Sequence, residues 1–136
     1  MPRAAHDSIV AIEIGWVREA HQAGVSLLAG TDLGTLLTFP GSSVHEELAL
    51  FVERVGVTPM EALRTATVLP ARFFGVEQEM GTIAAGKRGD LVLLGADPLR
   101  NIRNVTRIEG VVAAGRYFGH ADIAALKQCK SPPAQR

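Results

Sequence analysis

A short apolar run ending in a carboxylate, Val25-Ser-Leu-Leu-Ala-Gly-Thr-Asp32, carries the residue best suited to acid–base chemistry in this chain. An aspartate delivered by a buried strand into a loop sits where α/β proteins place reactive groups, beyond the C-terminal end of a strand. The same residue type also serves structurally, its carboxylate accepting a backbone N–H two or three residues on. Local sequence leaves both readings of Asp32 open.

The remaining candidates form no self-contained site. The histidines are His6, His21, His45 and His120, and no two have the close spacing that presents a metal-binding pair. A metal site built from this chain alone is therefore not expected. His45 lies early in a helix beside the Asp32 loop, where it either faces the same pocket or stays at the surface. His45-Glu-Glu47 is not the metalloprotease helix motif, because no second histidine follows at Leu48 or Ala49. The glycines between Gly81 and Gly89 lead into a strand rather than a helix, so they read as a hairpin turn and not as a phosphate cradle. Lys87 and Arg88 at its tip read as solvated turn charges, and Asp90 as a structural residue at a strand entrance. No serine lies in a nucleophile-elbow context. Cys129, the single cysteine, has no disulfide partner in the chain and reads as a free surface thiol.

The elements that must position Asp32 follow from periodicity. From Ser8 to Gln22, Ile9, Ile12, Trp16 and Ala20, flanked by Val10, Ile14 and Val17, repeat at helical spacing with a wide apolar stripe. Gly24 supplies its left-handed cap, and a strand at residues 25–29 follows at once. After Asp32 comes a loop, Leu33 to Ser42, and a second helix begins behind the capping box Ser43-Val-His-Glu46. Its core side is Val44, Leu48, Phe51 and Val55, with Gly56 as the stop. A third helix opens at Thr58-Pro-Met-Glu61, where threonine caps, proline takes the first helical position and glutamate closes the box. Pro70 interrupts it, and Ala71-Arg-Phe-Phe-Gly75 predicts one more turn that packs two aromatics. Beyond Gly75, short strands are expected at Gly81-Thr-Ile, at Asp90-Leu-Val-Leu-Leu94, and between Val105 and Phe118 around a turn at Gly115. The polar tail from Lys127 to Arg136 is expected to be disordered.

At 136 residues the chain is one ordinary domain by length, with 47% hydrophobic and 21% charged residues. Its 14 basic and 14 acidic residues balance, which argues against a nucleic-acid or membrane-surface partner. No apolar run approaches the roughly 18 residues needed to cross a bilayer, and the N-terminus lacks a signal peptide's order, so a cytoplasmic protein is expected.

Four blocks in order carry a family resemblance: Ala23-Gly-Val-Ser-Leu-Leu-Ala-Gly-Thr-Asp32; Phe39-Pro-Gly-Ser-Ser-Val-His-Glu-Glu-Leu48; Thr58-Pro-Met-Glu-Ala-Leu-Arg-Thr-Ala-Thr67 with Pro70-Ala-Arg; and Gly81-Thr-Ile-Ala-Ala-Gly-Lys-Arg-Gly-Asp-Leu-Val-Leu-Leu94 with Asp97-Pro. Together, over roughly residues 9 to 118, they resemble the C-terminal third of a metal-dependent amidohydrolase, in the branch containing imidazolonepropionase and prolidase-like enzymes. The resemblance implies an α/β fold: the C-terminal part of a (β/α)8 TIM barrel, its final strand at residues 25–29, with part of a composite β-sandwich. On that reading residues 1–75 belong to the barrel with its following helices, 76–120 to the sandwich, and 121–136 to a flexible tail.

For the chemistry, the resemblance implies that Asp32 contacts a divalent metal, with zinc foremost. It would take a proton from the attacking water and pass it to the leaving nitrogen of a C–N bond in a non-peptide amide, cyclic amide or dipeptide. Leu33, Gly34, Phe39 and His45 would line the substrate pocket. The family's His-x-His pair, its bridging lysine or carboxylate and its later metal-binding histidines have no counterpart here, and Leu69 stands where asparagine often precedes Pro70. The chain alone is accordingly expected to bind no metal tightly and to be inactive, requiring an N-terminal barrel segment or self-association. The alternatives are a non-catalytic assembly or binding module derived from an amidohydrolase, and a standalone α+β domain in which residues 25–29 join the C-terminal strands in one sheet.

Overall fold

The computed structural model describes residues 3–34 and 38–128, with side chains from Ile9 onward. Helix α1 (Arg3–Gln22) follows the apolar period, beginning earlier than predicted. It ends at Gly24, whose φ of 83° is one that residues with a Cβ rarely adopt. Gly24 N–H donates to the His21 carbonyl at 2.9 Å and Val25 N–H to the Ala20 carbonyl at 3.0 Å, the paired bonds of a Schellman cap. The apolar stripe is covered on one side only. Ile14 and Val17 pack on the core, while Ile9, Ile12 and Trp16 remain 42%, 54% and 65% exposed.

Residues 25–29 run without strand structure, contrary to expectation. A strand is defined by its ladder, and among the described residues the one sheet contains three other strands. The same observation overturns the α+β alternative, because residues 25–29 do not join that sheet. The segment is held instead by the bond from Ala29 N–H to the Thr65 carbonyl at 3.0 Å.

Helix α2 (Ser43–Leu50) runs on into a π-helical turn, Phe51–Val55. Leu48, Phe51 and Val55 are buried as predicted while Val44 is only half-buried, and Gly56 closes the turn at φ 97°. The predicted capping box is absent. Ser43 is already helical, Ser42 holds the cap position without a side-chain bond, and Ser43 Oγ accepts the Phe39 N–H at 2.7 Å. The reversal through Pro40 and Gly41 brings that amide within reach.

Helix α3 (Pro59–Thr65) carries the predicted box in full. Thr58 N–H donates to Glu61 Oε2 at 2.8 Å and Glu61 N–H to Thr58 Oγ1 at 3.3 Å. Helix α4 (Val68–Phe73) starts before Pro70 rather than after it, because a proline in the first turn forfeits no helical bond. Its aromatics are not packed into the core. Phe73 and Phe74 meet edge to face at 5.2 Å and are both exposed.

Strands β1 (Leu91–Leu94), β2 (Ile108–Ala113) and β3 (Arg116–Phe118) form an antiparallel sheet in sequence order. Leu91 pairs with Val112 and Val111 with Phe118. The β2–β3 turn is Ala114-Gly115, both at positive φ, and Asp90 Oδ1 accepts the Ala114 N–H at 2.7 Å, which is the structural role expected of it. Gly81-Thr-Ile forms no strand; that loop is closed by Arg88 N–H on the Glu79 carbonyl at 2.8 Å. Lys87 and Arg88 are not merely solvated. Lys87 Nζ donates to the Glu77 carbonyl at 2.5 Å and to Thr82 Oγ1 at 2.6 Å, and Arg88 pairs with Glu79 at 2.6 Å. A 3-10 turn, Ile102–Thr106, and helix α5 (His120–Lys127) were not predicted. The tail expected to be disordered from Lys127 is instead helical at Lys127, the end of α5; the rest of it from 129 onward, with Cys129, lies outside the described residues. No described helix is long and apolar enough to cross a membrane.

The core gathers Leu48, Ala49, Phe51, Val55, Val57, Ala62, Ile102 and Val105. Arg103 of the 3-10 turn clips Glu53 with two bonds, 2.7 and 2.8 Å, and this pairing lowers the Glu53 pKa. Arg18 of α1 donates to the Arg54 and Val55 carbonyls at the end of the π turn, a favourable position for a cation.

Two outcomes follow. Leu48 is 5% exposed at the centre of this cluster, so Leu48→Ala should lower unfolding free energy by about 2–5 kcal/mol in urea titration. The Thr58 hydroxyl and N–H bonds hold the Glu61 pKa below its ordinary value of 4.5. A depressed folded-state pKa stabilises above the unfolded value, and that stabilisation is lost as pH falls through the folded one. Thermal unfolding should therefore become acid-sensitive below pH 4.5, and Glu61→Gln, which keeps a capping side chain, should reduce that sensitivity.

Candidate active site

Asp32 stands in a backbone bend at φ 48°, in the left-handed region that aspartate tolerates better than most residues. Three side chains tie down the chain on either side of it. Glu47 Oε1, from α2, accepts the Gly30 N–H at 2.9 Å. Thr38 Oγ1 donates to the Asp32 carbonyl at 3.5 Å and accepts the Gly34 N–H at 3.3 Å. Ser43 Oγ takes the Phe39 N–H where the loop turns into α2. The aspartate is thus presented by a loop stitched to the first turns of α2.

Beside that loop lies a hollow of about 430 Å³ lined by Thr31, Thr38, Phe39, Ser42, Ser43, Glu46, Glu47 and Leu50. It is hydroxyl-rich on one wall and apolar at Phe39 and Leu50, which suits a small ligand with both polar and apolar parts. A second hollow, about 290 Å³, opens at the other end of residues 25–29 among His21, Ser26, Glu61 and Arg64.

Of the predicted pocket residues, the structure brings Phe39 to the wall of the first hollow, next to Thr31, the neighbour of Asp32. Leu33 and Gly34 are exposed on the loop, and half-buried His45 is not among the lining residues. Among the described residues, no three His, Cys, Asp or Glu side chains come together as a metal site would require. Glu47 and Thr38 escaped the sequence reading. In the sequence Glu47 stands out only as part of the His45-Glu-Glu47 triplet, and its bond to Gly30 spans 17 residues that no local pattern connects.

The sequence matches the amidohydrolase family over residues 3–117, and the chain belongs to that family. It is 35% identical over 85 residues to the ochratoxinase of Aspergillus niger, covering 62% of this chain and 17% of that enzyme. Identity to the imidazolonepropionase of Shouchella clausii is 32% over 102 residues, 70% of this chain and 22% of the other. The fold superposes on a Xaa-Pro dipeptidase with a TM-score of 0.71 at 27% identity, over 78% of this chain and 25% of that one. The branch expected from the four blocks is therefore the one found. The chain spans about a fifth of the length of the curated relatives it matches. Its mixed α/β architecture with a small antiparallel sheet is that of the corresponding part of amidohydrolase structures.

The positive φ at Asp32 yields a check independent of activity. Asp32→Asn should leave the urea midpoint nearly unchanged, since asparagine also tolerates this conformation, whereas Asp32→Val should cost about 1–2 kcal/mol.

Proposed function

We propose that this chain is the acid–base segment of an amidohydrolase that cleaves a C–N bond in a small amide-type substrate, with Asp32 as the proton carrier. The observation that carries this reading is the stitched loop: an aspartate held in a left-handed bend, beside a hollow of small-ligand size, within a family match that runs through it. In the reaction, water adds to the amide carbon and gives a proton to the Asp32 carboxylate. As the C–N bond breaks, the same proton passes to the nitrogen, so the carboxylate is regenerated at each turnover.

In this reading residues 25–29, which have no ladder here, would pair as the final strand of a TIM barrel in the complete enzyme, with residues 1–75 its closing part, 76–120 part of a composite β-sandwich and the chain beyond α5 a tail. The exposed apolar face of α1 supports it, since barrel neighbours would cover Ile9, Ile12 and Trp16. The divalent ion, zinc foremost, does not fit the described residues by themselves; its other ligands would come from barrel segments outside this chain. Residues 1–136 alone are then inactive. An assembly module remains the second reading, favoured by that same uncovered face of α1.

The test compares two proteins on N-acyl amino acids, Xaa-Pro dipeptides and cyclic amides. Residues 1–136 with added zinc or manganese should show neither tight stoichiometric metal nor turnover. The complete barrel enzyme containing this segment should turn over, and Asp32→Asn should lower its kcat by about 10²–10⁴-fold with the fold intact. Undiminished kcat in that variant would remove Asp32 from the chemistry, and absence of any hydrolysis by the complete barrel would favour the assembly module.

A further inference from the structure

We infer that Glu47 is the positioning residue for Asp32: its carboxylate, fixed on α2, grips the Gly30 N–H and thereby sets the backbone two residues ahead of the proton carrier. The consequence for turnover rests on the proposed role of Asp32; the grip itself does not.

Several observations converge on this glutamate. Its neighbour Glu46 is exposed and pairs with Arg103 at 3.5 Å across the surface. Glu47 instead turns inward, with Oε1 on Gly30 N–H at 2.9 Å. Its other oxygen, Oε2, is buried without a hydrogen-bond partner among the described residues. Burying a carboxylate oxygen unsatisfied is costly, so packing places this side chain against its own solvation preference. The next two residues, Leu48 and Ala49, are core residues at 5% and 2% exposure, which makes the base of the side chain rigid.

The two amides that end residues 25–30 are held from two different helices. Ala29 N–H meets a backbone carbonyl, Thr65 of α3, a bond that any residue type could make. Gly30 N–H meets a side chain, Glu47 of α2, a bond that depends on residue identity. A carboxylate acceptor makes a stronger bond than a neutral one. Only Thr31 then separates the gripped amide from Asp32, whose φ of 48° lies outside the broad basins of the backbone map. Asp32 itself is exposed and does not line the hollow, which its neighbour Thr31 does; freeing Gly30 would let both residues relax and loosen the backbone that presents the carboxylate. Glu47 touches no substrate in this account; it acts through the backbone.

Amide exchange measured by NMR on residues 1–136 tests the grip. In the wild type, Gly30 N–H should exchange slowly and show a through-hydrogen-bond coupling to the Glu47 carboxyl carbon. Glu47→Met, which keeps volume and removes the acceptor, should speed Gly30 exchange about tenfold or more. The Ala29 amide, bonded to α3, should keep its rate and so report that the fold is intact. Glu47→Gln restores an acceptor and should return Gly30 exchange most of the way.

In the complete barrel enzyme, Glu47→Met should lower kcat with KM little changed, and Glu47→Gln should recover it. A role in packing alone predicts no difference, with methionine tolerated as well as glutamine. Unslowed Gly30 exchange in the wild type with no coupling to Glu47 would overturn the proposal without using any variant, as would equal behaviour of the Met and Gln proteins. If Gly30 responds as expected while Asp32→Asn leaves kcat intact, the reading of Asp32 fails and the grip of Glu47 on the loop stands.

Discussion

The rest of the structure hangs on the burial of one face of α2 and its π-helical extension. Leu48, Phe51 and Val55 belong to the cluster of buried side chains among the described residues, and four other parts of the chain contribute to it. Ile14 and Val17 arrive from α1, Leu27 and Ala29 from the segment before Asp32, Ala62 from α3, and Ile102 and Val105 from the 3-10 turn beyond β1. Replacing α-helical by π-helical bonding over Phe51–Val55 widens the helix where these elements converge. It leaves the Phe51 carbonyl accepting both Gly56 and Val57 N–H groups. Around this dry contact the polar ties are secondary. The Arg103 clip on Glu53 is solvent-exposed, and such pairs contribute little to stability; its effect is to set where the 3-10 turn lies on α2.

That same helix carries the functional consequence. Backbone outside the core samples many conformations if left to itself. Around Asp32, the Gly30 N–H, the Gly34 N–H with the Asp32 carbonyl, and the Phe39 N–H are each bonded by a side chain: Glu47, Thr38 and Ser43. Two of the three belong to α2. The rigidity of the core is thereby transmitted through side-chain bonds to the one bend in which a carboxylate stands at positive φ. The catalytic role proposed for Asp32 would need this kind of over-determination, because its surroundings must hold it where free solution would not.

The parts of this arrangement readable from sequence are those encoded within four or five residues. The Gly24 cap, the Thr58–Glu61 box, the buried period of α2 and the Gly115 hairpin each depend on local bonding and emerged where predicted. Family membership was equally legible, because the four blocks keep their order. What failed depended on partners distant in sequence. The apolar run at residues 25–29 has strand composition but no ladder within the described chain. The Ser43 hydroxyl is a local exception: it accepts the N–H of Phe39, four residues back across the Pro40–Gly41 reversal, rather than capping its own helix. Glu47 looked like one more surface glutamate, and only the tertiary approach of α2 to Gly30 distinguishes it from Glu46.

The uncovered face of α1 and the missing ladder are two symptoms of one imbalance. Burying a large apolar side chain is worth roughly 1.5–3 kcal/mol. Ile9, Ile12, Trp16 and Val25 are each about half exposed, so together they forgo roughly 3–6 kcal/mol, a large share of the 5–15 kcal/mol that stabilises a typical domain. All four lie on α1 or at the start of residues 25–29, the elements that a barrel neighbour would flank. Asp32 follows the same segment. On the proposed barrel reading, a polypeptide paired along residues 25–29 would bury this face and at the same time bring its own side chains to the end where Asp32 stands, so that assembly and completion of the proposed site would be one physical event.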